Sequence, residues 1–419
     1  MSASFKAGIR LSLNALGRQP LVRRASQLMG FNSNPAGVSV GISNISIPGT
    51  VAVYFGDGAD KIYQLTQWLP VLEDLHEKHE VLLVFRSVGA YKAAGKISAL
   101  PRAFVRRFGD LMDLYDDNDL KLVIYVNNSR SNFQSLDHPR LVHVHVNHGE
   151  SDKLSMVSNK AKAYDKVFVA GPAAIKRHEA MLIDFDLDKL VVVGRPQLDI
   201  NFAPELEPSR KFDVLYAPTW EGENEDNNYT SIDLYGTAIV ASLLSNPAFR
   251  VIYKPHPRVE ESKTPGVAEG HAKIMELIAE ANAAGGEHIV SERGNILAMF
   301  EATDALITDV SSVGLDYLYL QPEKPLIISD RRSNRERLLR DAPIAQACPV
   351  IDQDSIGGVD ELLETGLLKD ENAQLRREMR NFYFGDLELG QSTERFQEVV
   401  ADLIETREGQ LAEFKGWHS

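Results

Sequence analysis

The sequence predicts a two-domain α/β protein in which each half is a doubly wound, Rossmann-like parallel sheet and the halves face one another across a cleft. Three observations predict it. Short β-branched runs alternate with longer amphipathic stretches, as parallel strands alternate with crossover helices. The alternation pauses once, at "GRPQLDINFAPELEPSRK" (194–211), a Pro-rich and polar stretch without sustained period that reads as an interdomain linker. A length of 419 residues accommodates two domains, and each is large enough to bury a core.

The expected division is a leader over 1–34, a first domain over 35–200, a second over 201–380 and a helical extension over 381–419 that packs back. In the first domain the strands are read at 50–55, 80–85, 121–126, 141–146, 166–170 and 189–193, with helices including 61–78, 101–115 and 172–183. In the second they are read at 213–217, 250–254, 288–291, 304–308, 325–329 and 348–351, separated by helices near 232–246, 271–284, 294–302 and 312–320. Helical stretches near 369–382 and 392–414 close the chain.

Composition narrows the function. With 44% hydrophobic and 25% charged residues and no apolar run of about 18 residues, the chain is expected not to span a membrane. Its single cysteine, Cys348, excludes an internal disulfide framework and points to a reducing, cytoplasmic compartment. Residues 1–56 hold Lys6, Arg10, Arg18, Arg23 and Arg24 and no acid, which leaves 40 basic against 59 acidic residues in the remainder. So acidic a body is a poor partner for nucleic acid. Phe5, Ile9, Leu13 and Leu16 share one sector of a helix from which Lys6, Arg10 and Arg18 are excluded. The leader over residues 1–30 thus reads either as a helix on an anionic membrane surface or as one packed on the first domain.

In doubly wound sheets ligands bind beyond the carboxyl ends of the strands, so motifs at those ends carry the chemistry. In "LITDVSSVGLDYLYL" (306–320), Thr308, Asp309, Ser311 and Ser312 lie between an apolar strand and a helix. Ser312 is the expected N-cap, and the N–H groups of the next turn, with hydroxyls at the mouth, suit a phosphate. In "IYKPHPR" (252–258), Pro255 and Pro257 restrict the backbone around His256, which with Lys254 can bond and neutralise phosphoryl oxygens. "LYAPTW" (215–220) adds Thr219 at a third strand end.

"LVHVHVNHGESDK" (141–153) poses the sharpest question. His143 and His145 share a strand face, so a metal-dependent hydrolase built on His143, His145 and His148 is one reading. No metal motif completes the set, and packed sheet residues are the other. His148 differs, because Gly149 follows it and lets a substrate approach an imidazole able to take a proton near neutral pH. Lys153 is placed to hold a phosphate nearby. "DFDLD" (184–188) is read as structural, and "GDGAD" (56–60) as a Gly-rich turn beside the cleft.

Taken in order, the His148–Gly149 pair followed by Lys153, "GRPQLD" (194–199), "LYAPTW", "KPHP" (254–257) and "LITDVSSVGLDYLYLQPEKPLI" (306–327) resemble the CDP-glycerol glycerophosphotransferase family, the teichoic-acid and capsule polymerases. The resemblance spans about residues 140–330. It implies a GT-B-like fold, an acceptor-binding N-terminal domain and a C-terminal domain that binds CDP-glycerol or a related CDP-alditol. It further implies a lipid-linked or polymeric glycan acceptor and a peripheral place on the inner face of the cell membrane; no metal or cofactor is expected, because His256, Ser311, Ser312 and the helix N-terminus beyond them replace it. Onto this chain it carries the acceptor-activating base as His148, the donor-phosphate histidine as His256 and the phosphate-binding hydroxyls as Thr308, Ser311 and Ser312. One departure stands out. Where the family usually reads His-Gly-Thr-Pro, this chain has Glu150, Ser151 and Asp152, two acids expected to contact a polyol acceptor or to raise the pKa of His148. A nucleotide-sugar glycosyltransferase of the same fold and a non-catalytic glycan-binding module are the competing readings.

Overall fold

The structure, a computed structural model, describes residues 50–152 and 156–417, with side chains described through residue 414. The leader and Lys153 lie outside the described residues. Every strand pairing is parallel. The first sheet holds β1 (Thr50–Phe55), β2 (Val81–Phe85), β3 (Arg102–Phe104), β4 (Leu120–Tyr125), β5 (Val142–His145), β6 (Lys166–Val169) and β7 (Leu190–Val192), in the order β3-β2-β1-β4-β5-β6-β7. The second holds β8 (Phe212–Ala217), β9 (Phe249–Tyr253), β10 (Ile289–Val290), β11 (Ala305–Asp309), β12 (Leu326–Ser329) and β13 (Val350–Ile351), in the order β10-β9-β8-β11-β12-β13. In both sheets the order reverses beside the first strand of the set, which opens a crevice at the carboxyl ends of β1/β4 and of β8/β11.

The strands read as continuous apolar runs because both faces are covered. Along β4 and the residue after it, Leu122, Ile124 and Val126 enter one core while Val123 and Tyr125 enter the opposite one. The C-terminal helix Gln391–Trp417 supplies Phe396, Val399, Val400 and Ile404 to the core of the first sheet, although it follows the second domain in sequence. Phe396 packs on Trp68 with ring centroids 5.5 Å apart and on Phe168 at 5.9 Å. The extension thus packs back, as expected.

Two glycines permit the C-terminal helices to approach the first domain. A Cβ on Gly171 would lie 2.4 Å from the carbonyl oxygen of Tyr383, and one on Gly194 would lie 2.1 Å from Ser392 Oγ. Gly194 also has φ +71°, a conformation that favours glycine.

Four details differ from expectation. The segment 101–115 is an edge strand, β3, followed by a helix at Phe108–Asp116. The segment 294–302 forms only one 3₁₀ turn, at Ile296–Met299. Helices at Val88–Ala94, Arg335–Asp341 and Val359–Leu368 were not foreseen from periodicity, the first two being only seven residues long. The long helix of the second domain starts earlier than periodicity suggests, at Pro265, because Pro at the first helical position pre-sets φ.

Candidate active site

The β5 strand ends at His145, and the chain turns through Asn147, whose φ of +56° is tolerated by Asn better than by most residues. Trp68 Nε1 donates to the Asn147 carbonyl at 2.6 Å, and Asn147 Oδ1 accepts from the His148 N–H at 2.9 Å. This fixes the backbone just where the histidine emerges. The His148 ring meets the Tyr63 ring edge-on, with centroids 6.2 Å apart. Burial, and secondarily the Arg195 guanidinium, push its pKa down to about 4. At neutral pH the imidazole is uncharged, as a general base must be.

The two histidines upstream are packed, not poised. His143 uses both ring nitrogens, Nδ1 with Tyr125 Oη and Nε2 with the His138 carbonyl, each at 2.8 Å. His145 stacks on Tyr164 at 4.9 Å, and burial, with the nearby His178 and His148, pushes its pKa down to about 3. The metal reading therefore loses His143 as a ligand.

Glu150 and Asp152 do not act on His148 as expected. Both are buried and clamped by Arg177 from the helix Pro172–Met181, at 2.5 Å to Glu150 and 3.2 Å to Asp152, and Arg177 also donates to the Ser151 carbonyl at 2.7 Å. Asp152 accepts a further, short hydrogen bond from Tyr383 Oη on the helix Ala373–Phe384. With their charge neutralised locally, the acids do not raise the His148 pKa, which is lowered. Burial, opposed by Arg177 and Tyr383 and assisted by Glu150, pushes the Asp152 carboxyl up to about 7.

On the second domain, Thr308 and Asp309 are fully buried and serve the loops around them. Thr308 Oγ1 donates to the Ala217 carbonyl at 2.7 Å, and Asp309 accepts from the Thr219 N–H at 2.7 Å and from Ser329 Oγ. Burial holds the Asp309 carboxyl up at about 6. Both residues, expected among the phosphate ligands, instead tie the ends of β8, β11 and β12 together, and Thr219 takes part through its backbone. The expected N-cap also shifts by one residue. The helix runs Ser312–Leu320 and its N-cap is Ser311, whose hydroxyl makes no cap hydrogen bond and lies 3.4 Å from Thr308 Oγ1. Among the described residues no side-chain hydrogen bond caps the first turn, which leaves its N–H groups able to receive an anion.

His256 is held as the flanking prolines suggest. Its N–H donates to the Pro218 carbonyl at 3.1 Å, and its Nδ1 accepts from the Arg258 N–H at 3.2 Å. An accepting Nδ1 requires that Nε2 carry the proton in the neutral ring, which makes Nε2 a donor suited to a phosphoryl oxygen. Trp220 lies beside it at 6.0 Å, with the Arg258 guanidinium over the indole at 4.4 Å. Lys254 is buried and donates to the Glu292 carbonyl at 3.1 Å, and burial lowers its pKa. Its ammonium is thus engaged with the loop after β10.

The domains bring the two halves of the site together. A Cβ on Gly149 would lie 3.8 Å from Ser312 Cβ, so the residue after His148 faces the start of the helix Ser312–Leu320. Arg195, buried at the end of "GR" after β7, pairs with Asp316 on that helix at 2.7 Å. Sequence reasoning missed Arg177, Arg195 and Tyr383. Arg195 lay within a quoted strand-end motif, whereas nothing local marked Arg177 or Tyr383. Asp186 in "DFDLD" caps the 3₁₀ turn Leu187–Lys189 by accepting from the Asp188 N–H, as a structural acid should.

The two doubly wound, parallel-sheet domains make this a GT-B-like protein. The model of the CDP-Glycerol:Poly(glycerophosphate) glycerophosphotransferase family matches residues 126–400, more than half of the chain, and the chain belongs to that family. It is an enzyme of the CDP-glycerol glycerophosphotransferase type. No curated protein sequence matches it. Among solved structures, the wall teichoic acid polymerase TagF, in a variant soaked with CDPG, is similar with a TM-score of 0.55 at 13% identity, covering 96% of this chain and 98% of that one. A putative UDP-N-acetylglucosamine 2-epimerase from Listeria monocytogenes is similar with a TM-score of 0.57 at 14% identity, covering 86% of this chain and 98% of that one. The UDP-GlcNAc 2-epimerase from Neisseria meningitidis bound to UDP-GlcNAc follows at 0.53 and 12%, covering 85% and 100%. At such identities these structures establish the fold.

Proposed function

We propose that His148 is the general base of a transfer in which a hydroxyl of a lipid-linked or polymeric glycan attacks the β-phosphorus of CDP-glycerol. The hydroxyl proton passes to His148, the new O–P bond forms, the bond to the bridging oxygen breaks, and CMP leaves. The observation that carries this reading is the placement of a neutral, backbone-fixed imidazole at Gly149, against the uncapped helix at Ser312. Charge on the departing pyrophosphate oxygens is met by the N–H groups of that helix, by the hydroxyls of Ser311 and Ser312, and by His256 Nε2. Thr308, Asp309 and Thr219 hold this anion-binding end in shape.

Donor class is tested by thermal shift with CDP-glycerol, CDP-ribitol, UDP-glucose and CMP, with and without EDTA. CDP-glycerol at about 100 times its dissociation constant is expected to add ~2.7 kcal/mol of stability, unaffected by EDTA. Stabilisation by UDP-glucose alone would instead favour a glycosyltransferase, and loss of the shift on chelation a metal-dependent site.

Among the described residues no helix is long and apolar enough to cross a membrane. We assign contact with an anionic membrane surface at the cytoplasmic face to the basic, acid-free leader over residues 1–30. The full chain is expected to sediment with phosphatidylglycerol vesicles and a chain lacking residues 1–30 to remain in the supernatant. Equal sedimentation of both would remove the leader from that role.

A further inference from the structure

Arg195 follows β7 by three residues and is only 6% exposed, a degree of burial that an arginine rarely shows without a paired charge. Its main chain is held from outside the first sheet. The Arg195 N–H donates at 3.0 Å to Ser392 Oγ, near the start of the helix Gln391–Trp417. At the far end of the same segment, Asp199 accepts from the N–H groups of Gly390 and Thr393 at 2.8 and 2.7 Å. The segment 194–199 is thus pinned at both ends to the start of the C-terminal helix. The Arg195 side chain reaches the second domain, where Nη1 lies 2.7 Å from Asp316 Oδ1 on the helix Ser312–Leu320. Tyr319, three residues after Asp316 and so beside it on that helix, places its Oη 3.3 Å from the same Ser392 Oγ. One buried hydroxyl therefore joins the Arg195 main chain, the donor-side helix and the C-terminal helix.

The ion pair itself is not saturated. Arg195 Nε and Nη1 and Asp316 Oδ1 are buried, yet none makes a hydrogen bond among the described residues. The 2.7 Å approach is a charge contact with the oxygen off the N–H axes, unlike the two-pronged pairing that gives an arginine bridge its strength. What the contact does fix is position. Asp316 sits about one turn beyond Ser312, the residue that faces Gly149 across 3.8 Å.

We propose that Arg195 is a positioning residue of the transfer, a buried cation that sets the helix Ser312–Leu320 in register with the His148–Gly149 turn through Asp316. The proposal rests on the transferase reading above and names a residue through which the two halves of that site are brought to one geometry. The guanidinium also acts on the His148 ring by its charge, opposing a second cation beside it. The other groups around that ring are engaged or neutral. Glu150 and Asp152 pair with Arg177, Asp316 pairs with Arg195, His145 is uncharged at neutral pH, and Tyr63 meets the ring edge-on.

The test uses the full chain and three variants, with CMP release from CDP-glycerol and bis(glycerol) phosphate as one readout and the NMR titration of the His148 ring as the other. Arg195→Met combined with Asp316→Leu replaces the buried pair by apolar residues, a change that buried ion pairs often tolerate without loss of stability. This double variant is expected to melt cooperatively and to keep the thermal shift given by CDP-glycerol, while kcat falls about 10²-fold, as for a misplacement of about 1 Å. Its His148 titration should move to higher pH but stay below ~6.5, because burial is the larger cause of the lowered value. Asp316→Asn keeps the cation and loses the tether, so kcat should fall about tenfold or more with the titration unmoved. Arg195→Lys keeps the charge without the rigid fork, and should hold the titration and recover part of the kcat lost in the double variant. Three variants are used because both residues are buried, and any one that melts cooperatively decides the matter. Wild-type kcat in the folded double variant or in Asp316→Asn, or an unmoved titration in the double variant, would make Arg195 a structural bridge only and overturn the proposal. Absence of CMP release in the wild type would count against the transferase reading instead, and the titration, which needs no substrate, would still decide whether Arg195 acts on His148.

Discussion

His148→Ala is expected to lower kcat by ~10²–10⁴-fold while leaving the CDP-glycerol thermal shift intact, since the base acts on the acceptor and not on the donor. The companion measurement is the pH dependence of kcat/KM, which reports the free enzyme. Only the neutral imidazole can accept the proton, so activity is lost as the pH falls through the pKa of His148. Burial and Arg195 place that pKa at about 4. The acid limb is therefore expected near pH 4, with little change between pH 5 and 7, the range in which an ordinary histidine of ~6.5 would titrate. A limb at 6.5 would mean that the ring is solvated in the working enzyme. Near-normal turnover of His148→Ala would remove it from the mechanism altogether.

The legible parts of this protein were those where one physical cause dominated. Strands covered on both faces appear as largely apolar, β-branched runs, and twelve of the thirteen among the described residues were readable, most of them for that reason. The exception, β3, is three residues long and follows Pro101 at a sheet edge, so the periodicity of the helix after it swamped its signal. The strand-end positions of His148 and His256 were readable because Gly149 and the prolines 255 and 257 mark places where the backbone is constrained as it leaves a sheet. The roles of Thr308 and Asp309 were not, because a hydroxyl or carboxylate at a strand end looks the same whether it faces a ligand or, as here, the Ala217 carbonyl and the Thr219 N–H. Arg177 was least legible of all. It lies 25 residues from Asp152 in sequence, and only the fold brings its helix against the segment after Gly149.

Arg177→Ala is expected to cost about 3–5 kcal/mol of stability, measured by denaturant unfolding at neutral pH, because it leaves Glu150 and Asp152 buried without a counter-charge. If the cost comes from unpaired charge, the triple variant with Glu150→Gln and Asp152→Asn should recover much of it, a non-additivity that a simple loss of packing would not give. The pH dependence has a definite sign. Asp152 already holds its proton up to about pH 7 in the folded chain, well above its value when unfolded, so its contribution to stability declines as pH rises toward 7. Arg177 is what opposes burial there, and its removal pushes the carboxyl pKa higher still. The penalty of Arg177→Ala should therefore be larger at pH 8 than at pH 5. A loss below about 1 kcal/mol, the range of exposed ion pairs, would show the clamp to be dispensable. The same clamp explains how a segment with two acids is accommodated beside His148. Arg177 pairs with both acids and Tyr383 hydrogen-bonds one of them from the helix Ala373–Phe384, so neither acid is left unpartnered.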